Sequence, residues 1–171
     1  DGGIWFALMS PKAIERIERI AASDRYIPAI LGLKAAIDNS RLNQTLNTPA
    51  LTSLALIDDQ TQWILENGGL NWAAEKTRAS SNLLYEWASA HPLTTPFVEV
   101  PEHRSPVVVT IDIDPSIDAL EVSRILRDNG IVDTDSYRKL GRNQLRIATF
   151  VSIEQDDVAQ LIKSLEFVLG A

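Results

Sequence analysis

The sequence predicts an α/β protein that is mainly helical in its first half and carries a small α+β unit in its second half. Three observations predict this class. Residues 3–9 form a nearly continuous apolar run, which is typical of a strand buried on both faces. Residues 51–90 carry apolar side chains at helical spacing, and residues 93–171 follow a β-α-(β)-β-α pattern.

The first helix has a clear start. Ser10 and Pro11 are a typical N-cap and first helical residue, and they predict a short helix to about Ser23. Residues 24–46 show only a weak pattern, and the polar cluster Asp38-Asn39-Ser40 within them predicts a loop.

Two longer helices are predicted next. Asn47-Thr48-Pro49 again combines a cap with proline and predicts a helix through about Glu66, which Asn67-Gly68-Gly69 ends. Residues 71–90 predict the second helix. His91-Pro92 ends it, because the residue before proline avoids the helical conformation.

The second half begins with residues 92–106, which hold four of the eight prolines and predict a linker or domain entry. Alternation in residues 109–113 predicts a half-buried strand. Asp114-Pro115 predicts a helix start, and Asn129-Gly130 its end. Ile131-Val132 is compatible with a short strand.

The last two elements follow the same logic. Residues 144–150 alternate and predict a strand, with Leu145 and Ile147 facing one way and Arg146 the other. Ser152 and Gln155 predict a capping box for the last helix. Apolar residues from 158 to 169 fall at i, i+3, i+4 and i+7, as on one face of a helix.

The composition excludes several classes of protein. Sixteen Lys and Arg against 23 Asp and Glu give a net charge of −7. This balance argues against nucleic acid or an anionic membrane as the main partner, since both require a positive surface. The absence of cysteine excludes disulfides and thiolate metal sites, and two histidines cannot form a three-histidine metal site. We expect no metal site and no membrane segment.

Positive charge is concentrated in one window. Residues 136–153 contain no acidic side chain but do contain Arg138, Lys139, Arg142 and Arg146. The planar guanidinium group suits carboxylate and phosphate, so an anion site is one interpretation. Solvated loop charges that offset acidic neighbours are the other. Arg146 is the best-placed candidate, because a strand would hold it rigidly.

Asn47 and Thr48 form a second candidate site. They precede a predicted helix, whose first N–H groups lack partners and whose dipole favours an anion such as phosphate. The alternative is an ordinary helix cap, which is common in any helical protein.

Four motifs occur in an order that is specific to one family. They are Gln44-Thr45-Leu46-Asn47-Thr48-Pro49, Asn67-Gly68-Gly69-Leu70, Gly130-Ile131-Val132-Asp133-Thr134 and the stretch from Tyr137 to Arg146. Together they resemble phosphoserine aminotransferase, a pyridoxal-phosphate enzyme of the fold-type I, class V aminotransferases. The resemblance covers essentially the whole chain but only the C-terminal half of the enzyme.

The resemblance implies a division into domains and an incomplete catalytic set. Residues 1–92 would complete the large, cofactor-binding domain, and residues 93–171 would form the C-terminal small domain. The family's Schiff-base lysine would lie just upstream of Asp1-Gly2-Gly3, and none of the five lysines present matches it. We therefore expect the chain to contain no catalytic residue and the fragment alone to be inactive, without bound pyridoxal phosphate.

The resemblance also implies roles for the two candidate sites. Asn47 and Thr48 match the pair that reaches the cofactor phosphate of the other subunit in a homodimer. Arg146 matches the arginine that binds the substrate α-carboxylate. Arg138 matches the arginine that helps to hold the substrate's phosphate or side-chain carboxylate.

Tyr137 and Arg142 are further candidates for substrate binding. One branch of the family has histidine where Tyr137 stands, and the loop through Arg142 looks longer here. The implied reaction exchanges the amino group between phosphoserine or 3-phosphohydroxypyruvate and glutamate or 2-oxoglutarate in serine biosynthesis, in a cytoplasmic enzyme. The alternative is a stand-alone anion-sensing or interaction module built on the β-α-β-β-α unit.

Overall fold

The chain divides into two compact units, residues 1–63 and residues 64–171. The computed structural model describes residues 4–137 and 139–170. The expectations for Asp1-Gly2-Gly3 and for Arg138 lie outside the described residues. The predicted domain boundary at residues 92 and 93 concerns the full-length protein and stays a prediction.

The first unit is helical. Its α-helices are α1 (Pro11–Ala21), α2 (Leu33–Arg41) and α3 (Leu51–Glu66), and a 3-10 turn covers Ala29–Leu31. The last residues of α3 belong to the second unit. The predicted cap of α1 is confirmed, since the Ala13 N–H donates to the Ser10 hydroxyl at 3.2 Å.

Two expectations for the first unit are wrong. Residues 4–10 have no regular secondary structure, so the strand predicted over residues 3–9 is not formed by its described residues. A strand needs a neighbour for its backbone hydrogen bonds, and no described segment pairs with this run. The predicted loop at residues 38–40 lies inside α2. There the Asn39 side chain donates to the Ala35 carbonyl and Lys34 Nζ lies 2.6 Å from Asp38 Oδ1.

The first unit lacks a buried core. None of the residues from 4 to 63 is buried. Large apolar side chains are instead exposed to solvent, among them Trp5, Phe6, Leu8, Ile30, Leu51 and Leu56.

The second unit is a three-stranded antiparallel sheet packed against helices. In chain order its elements are α4 (Gly69–Ala90), β1 (Thr94–Pro96), β2 (Val108–Ile113), α5 (Ala119–Asp128), β3 (Gln144–Ala148) and α6 (Gln155–Leu169). A 3-10 turn covers Pro101–His103. The strand order is β1-β2-β3, and Thr110 of β2 pairs with Arg146 of β3.

One face of the sheet builds the core. Val109, Ile111 and Leu145 are fully shielded from solvent on this face. They belong to a single apolar cluster with side chains of the helices, including Leu84, Ala88, Val122, Leu126, Leu161 and Leu165. Alternation along a strand therefore places Thr110, Asp112 and Arg146 on the opposite face. The predicted small α+β unit is confirmed.

The β3 edge is partly covered by the chain before it. Asp135 forms an isolated bridge with Leu145, and the Arg146 N–H donates to the Thr134 carbonyl at 3.0 Å. Residues 131 and 132 carry no strand, so the strand considered for them is not formed. Bridging to β3 begins at Asp135 instead, after Asp133, which adopts a left-handed conformation with φ of 62° and so interrupts an extended strand.

Several boundaries differ from the prediction. β1 lies within residues 92–106, where a linker was expected. The helix expected from Asp114 begins at Ala119 instead, because the Asp114 carboxylate accepts hydrogen bonds from Ser116 N–H and Oγ and forms a turn. Asp118 then caps α5 by accepting from the Leu120 N–H.

The predicted capping box of the last helix is also wrong. The N-cap residue of α6 is Glu154, whose side chain makes no capping hydrogen bond, so Ser152 lies before the cap position. β3 ends at Ala148, two residues before the predicted end at Phe150. Within the described part of the chain, no helix combines the length and apolar character that a membrane span requires.

Candidate functional site

Arg146 lies in the middle of β3 and points away from the core. Its backbone is fixed by the pairing with Thr110 and by the hydrogen bond to Thr134, while its side chain is exposed. No carboxylate in the described parts of the chain forms an ion pair with it. Its guanidinium carbon lies 5.9 Å from the ring centroid of Tyr137. The strand thus presents an uncompensated positive charge on a rigid backbone.

Arg142 is differently placed. Its Nη2 lies 2.6 Å from Asp112 Oδ2, and its Nε lies 3.2 Å from Asp112 Oδ1. The guanidinium group also lies over the Phe97 ring at 4.8 Å. The hydrogen bonds that Arg142 donates to the Asp112 carboxylate raise the pKa of Arg142 above its ordinary value. Its charge is therefore compensated within the protein, in contrast to that of Arg146.

Asn143 is a structural residue that the sequence reasoning missed. Its side-chain N–H groups donate to the carbonyls of Ile113 and Ile117, at 3.1 and 2.8 Å. Its side-chain oxygen accepts from the Ala119 N–H at 2.9 Å. One side chain thus joins the end of β2, the start of α5 and the start of β3. Each partner is distant in sequence. The one sequence signal for this role is that Asn143 is a polar residue directly before a predicted strand.

Gln144 was missed as well. It lies on the same face of β3 as Arg146, two residues earlier, and its side chain is buried. Its Nε2 atom has no hydrogen-bond partner. A buried donor without a partner is costly and uncommon in folded proteins.

Asn47 and Thr48 lie in the first unit and are exposed. They line a cavity of about 660 Å³ together with Trp5 and Met9. The Thr45 hydroxyl donates to the Asn47 carbonyl at 2.6 Å and shapes the turn. α3 begins only at Leu51, so the two residues precede the cap position instead of occupying it.

The structure brings two of the predicted substrate residues together, Arg146 and Tyr137. Arg142 belongs to a separate ion pair, and Arg138 lies outside the described residues. Asn47 and Thr48 form a second cluster in the other compact unit.

Several solved structures share the fold of this chain. A phosphoserine aminotransferase from Cytophaga hutchinsonii matches with a TM-score of 0.83 at 19% identity, over 93% of this chain and 43% of that one. An alanine–glyoxylate aminotransferase from Nostoc sp. matches with a TM-score of 0.73 at 21% identity, over 94% and 42%. The chain has the fold of part of a fold-type I aminotransferase, as predicted.

The sequence relatives are phosphoserine aminotransferases. The phosphoserine aminotransferase of Rhodococcus jostii is 54% identical over 170 residues, which are 99% of this chain and 46% of the relative. That of Corynebacterium glutamicum is 53% identical over 169 residues, 99% of this chain and 45% of the relative. No family model matches the sequence. The chain is a homologue of phosphoserine aminotransferases over nearly its whole length, and it spans about half the length of these relatives.

Proposed function

We propose that this chain is the C-terminal part of a phosphoserine aminotransferase. The full-length enzyme would exchange the amino group between phosphoserine or 3-phosphohydroxypyruvate and glutamate or 2-oxoglutarate, in serine biosynthesis. The observation that carries the proposal is Arg146, an exposed arginine without an ion-pair partner among the described residues, held on a paired strand. The sequence similarity to phosphoserine aminotransferases, which covers 99% of the chain, supports the same proposal.

Arg146 binds the substrate α-carboxylate in this proposal. The planar guanidinium group can donate two parallel hydrogen bonds to a carboxylate. The strand and the neighbouring Tyr137 ring restrict the arginine, so less conformational entropy is lost on binding. Arg138 contributes a second positive charge for the substrate's distal phosphate or carboxylate, and Tyr137 and Arg142 border the same stretch of chain.

Asn47 and Thr48 hold the cofactor phosphate in this proposal. Their exposed amide and hydroxyl groups lie just before α3, whose first backbone N–H groups also favour an anion. These donors fit the phosphate of pyridoxal phosphate. A phosphoserine aminotransferase from Trichomonas vaginalis, whose solved structure has a similar fold, is bound to that cofactor. The cofactor supplies an electron sink, while the protein supplies orientation and charge.

Three further features belong to the full-length enzyme as we propose it. The lysine that binds the cofactor lies upstream of residue 1, so the chain alone is inactive. Residues 1–92 complete the large domain, and residues 93–171 form the small one. The enzyme is a cytoplasmic homodimer in which Asn47 and Thr48 serve the partner subunit's cofactor.

The test is the substitution Arg146→Ala in the full-length protein. Loss of a two-point ion pair to the substrate lowers kcat/KM for phosphoserine by about 100-fold or more. Arg124→Ala is the matched control, because Arg124 is exposed on α5 and its ion pairs among the described residues are with carboxylates of its own helix. An unchanged kcat/KM in the Arg146 variant would remove this residue from the site.

A further inference from the structure

The sheet carries one acidic and one basic side chain, and both lie on the same face. Among the residues of β1, β2 and β3, Asp112 is the single acidic one and Arg146 the single basic one. Asp112 pairs in register with Gln144, and Thr110 pairs with Arg146, so the two charged residues are diagonal neighbours on adjacent strands. Such neighbours lie about 7–8 Å apart, which a long side chain can span.

Asp112 and Arg146 nevertheless do not pair with each other. In the part of the chain that the structure describes, the ion pair of Asp112 is with Arg142, which lies in the loop before β3. Opposite charges on adjacent strands stabilise a sheet when they pair, so the two sheet residues are natural partners. The position of Arg142 explains why Asp112 is not available to Arg146.

The geometry makes Arg142 the stronger partner for Asp112. Its Nη2 and Nε donate to the two carboxylate oxygens at 2.6 and 3.2 Å, a two-point contact that matches the planar guanidinium group. The Phe97 ring, with its centroid 4.8 Å from the guanidinium carbon, supports the same orientation. The side chain of Asp112 is only 25% exposed, and a carboxylate so far buried is costly without a positive partner.

Loss of the Arg142 guanidinium would therefore leave Asp112 in need of another cation. The diagonal neighbour Arg146 is the cation that the sheet offers. An ion pair between Asp112 and Arg146 would occupy the guanidinium group that binds the substrate α-carboxylate in the proposed function. The protein's own carboxylate and that of the substrate would then compete for one arginine.

We propose that Arg142 is a positioning residue that holds Asp112 and thereby keeps Arg146 free for the substrate. The inference rests on the proposed function, because it takes Arg146 as the group that binds the α-carboxylate. Arg142 does not contact the substrate in this role. Its loss should raise KM more than it lowers kcat, since saturating substrate displaces Asp112 from Arg146.

The first experiment measures KM and kcat for phosphoserine in the full-length protein. Arg142→Met keeps an unbranched apolar stem beside Phe97 but leaves Asp112 without its partner. It should raise KM about three- to tenfold, the effect of a competing ion pair of ordinary strength, and should change kcat less than about twofold. Arg124→Met is the matched control, since it removes a two-point contact with Glu121 on α5, and its KM should stay that of the wild type.

Removal of the competing carboxylate distinguishes this role from two others. Asp112→Asn should not raise KM, and the double variant with Arg142→Met should return KM to within about twofold of the wild type. A double variant as impaired as Arg142→Met alone would show that Arg142 contacts the substrate. Equal rises in KM in the two single variants would show that the ion pair only stabilises the loop. Either result would overturn the inference.

The second experiment is independent of activity. In a crystal structure of the full-length Arg142→Met variant, the Arg146 guanidinium should lie within about 4 Å of the Asp112 carboxylate. An Arg146 side chain that stays beside Tyr137 there would contradict the inference. If Arg146→Ala leaves kcat/KM unchanged, the proposed function fails and this inference fails with it. If Arg146→Ala is impaired but the double variant is not rescued, this inference fails alone.

Discussion

Two helices of nearly equal length show how differently the two compact units are built. α3 has 16 residues and none of them is buried, whereas α6 has 15 residues and buries four. The buried side chains of α6 belong to one apolar cluster with side chains of α4, α5 and the sheet. An apolar stripe therefore becomes a core only where a second surface covers it, however clear the periodicity is.

The same contrast runs through the whole of each unit. The second unit has one contiguous apolar cluster, whereas the first exposes Trp5, Phe6 and Leu8. Isolated exposed apolar side chains are ordinary, but a group of this size is typical of a surface that another part of a protein covers. The chain spans about half the length of its relatives, so we expect the remainder of the full-length protein to cover the first unit.

The largest expected effect comes from a pair of leucine substitutions that compares the core of the second unit with the exposed apolar surface of the first. Leu84 is fully buried in α4, and Leu56 is 65% exposed in α3. In the isolated chain, Leu84→Ala should lower the free energy of unfolding by about 3–4 kcal/mol, because it leaves a cavity. Leu56→Ala should change it by less than about 0.5 kcal/mol. Denaturant titration measures both.

The same pair in the full-length protein sharpens the interpretation. If the rest of the protein covers α3, Leu56→Ala becomes costly there while the cost of Leu84→Ala stays the same. A Leu56 variant that is neutral in both contexts would show that this face stays exposed.

A smaller effect is expected from Asn143→Ala. The change leaves the Ala119 N–H and the Ile113 and Ile117 carbonyls without their partner. It should lower the free energy of unfolding by about 2 kcal/mol. Asn129→Ala is the control, since Asn129 makes one exposed hydrogen bond to the Ile125 carbonyl of its own helix. Thermal unfolding compares the two. Equal losses of stability in the two variants would show that the hydrogen bonds of Asn143 between elements stabilise the protein no more than the single hydrogen bond of Asn129 within its helix.

The smallest effect concerns a turn that lies outside the core of the second unit. Hydrogen bonds from the Ser116 hydroxyl and N–H hold the pKa of Asp114 below its usual range. The stabilisation is therefore present above the unfolded pKa and is lost as the pH falls through the lower folded value. Ser116→Ala should raise the pKa of Asp114 toward its ordinary value, as measured by NMR titration of the carboxyl carbon. Ser152→Ala serves as the control, and a titration curve unaltered by Ser116→Ala would refute the cause assigned.

Local signals in the sequence predicted the elements that depend on local contacts. Ser10 caps α1 as expected, and the stop at residues 67–69 holds because Gly68 adopts φ of 117°. The strand over residues 3–9 failed because its pairing depends on a neighbour outside its own sequence. β1 was missed because it is three residues long and includes Pro96.

The candidate site follows the same rule. Arg146 could be predicted because strand alternation alone places it opposite the core. The engagement of Arg142 with Asp112 could not, because the partners are thirty residues apart and meet only through the sheet. The hydrogen bonds of Asn143 are non-local for the same reason.

The bridge between Asp135 and Leu145 has a consequence for how this chain associates with itself. An open strand edge invites another chain to add a strand, which is a common route to aggregation. Residues 134 and 135 occupy the outer edge of β3, and β1 at the other edge is short and ends in proline. Any self-association of this chain should therefore proceed through the exposed apolar side chains of the first unit and not by extension of the sheet.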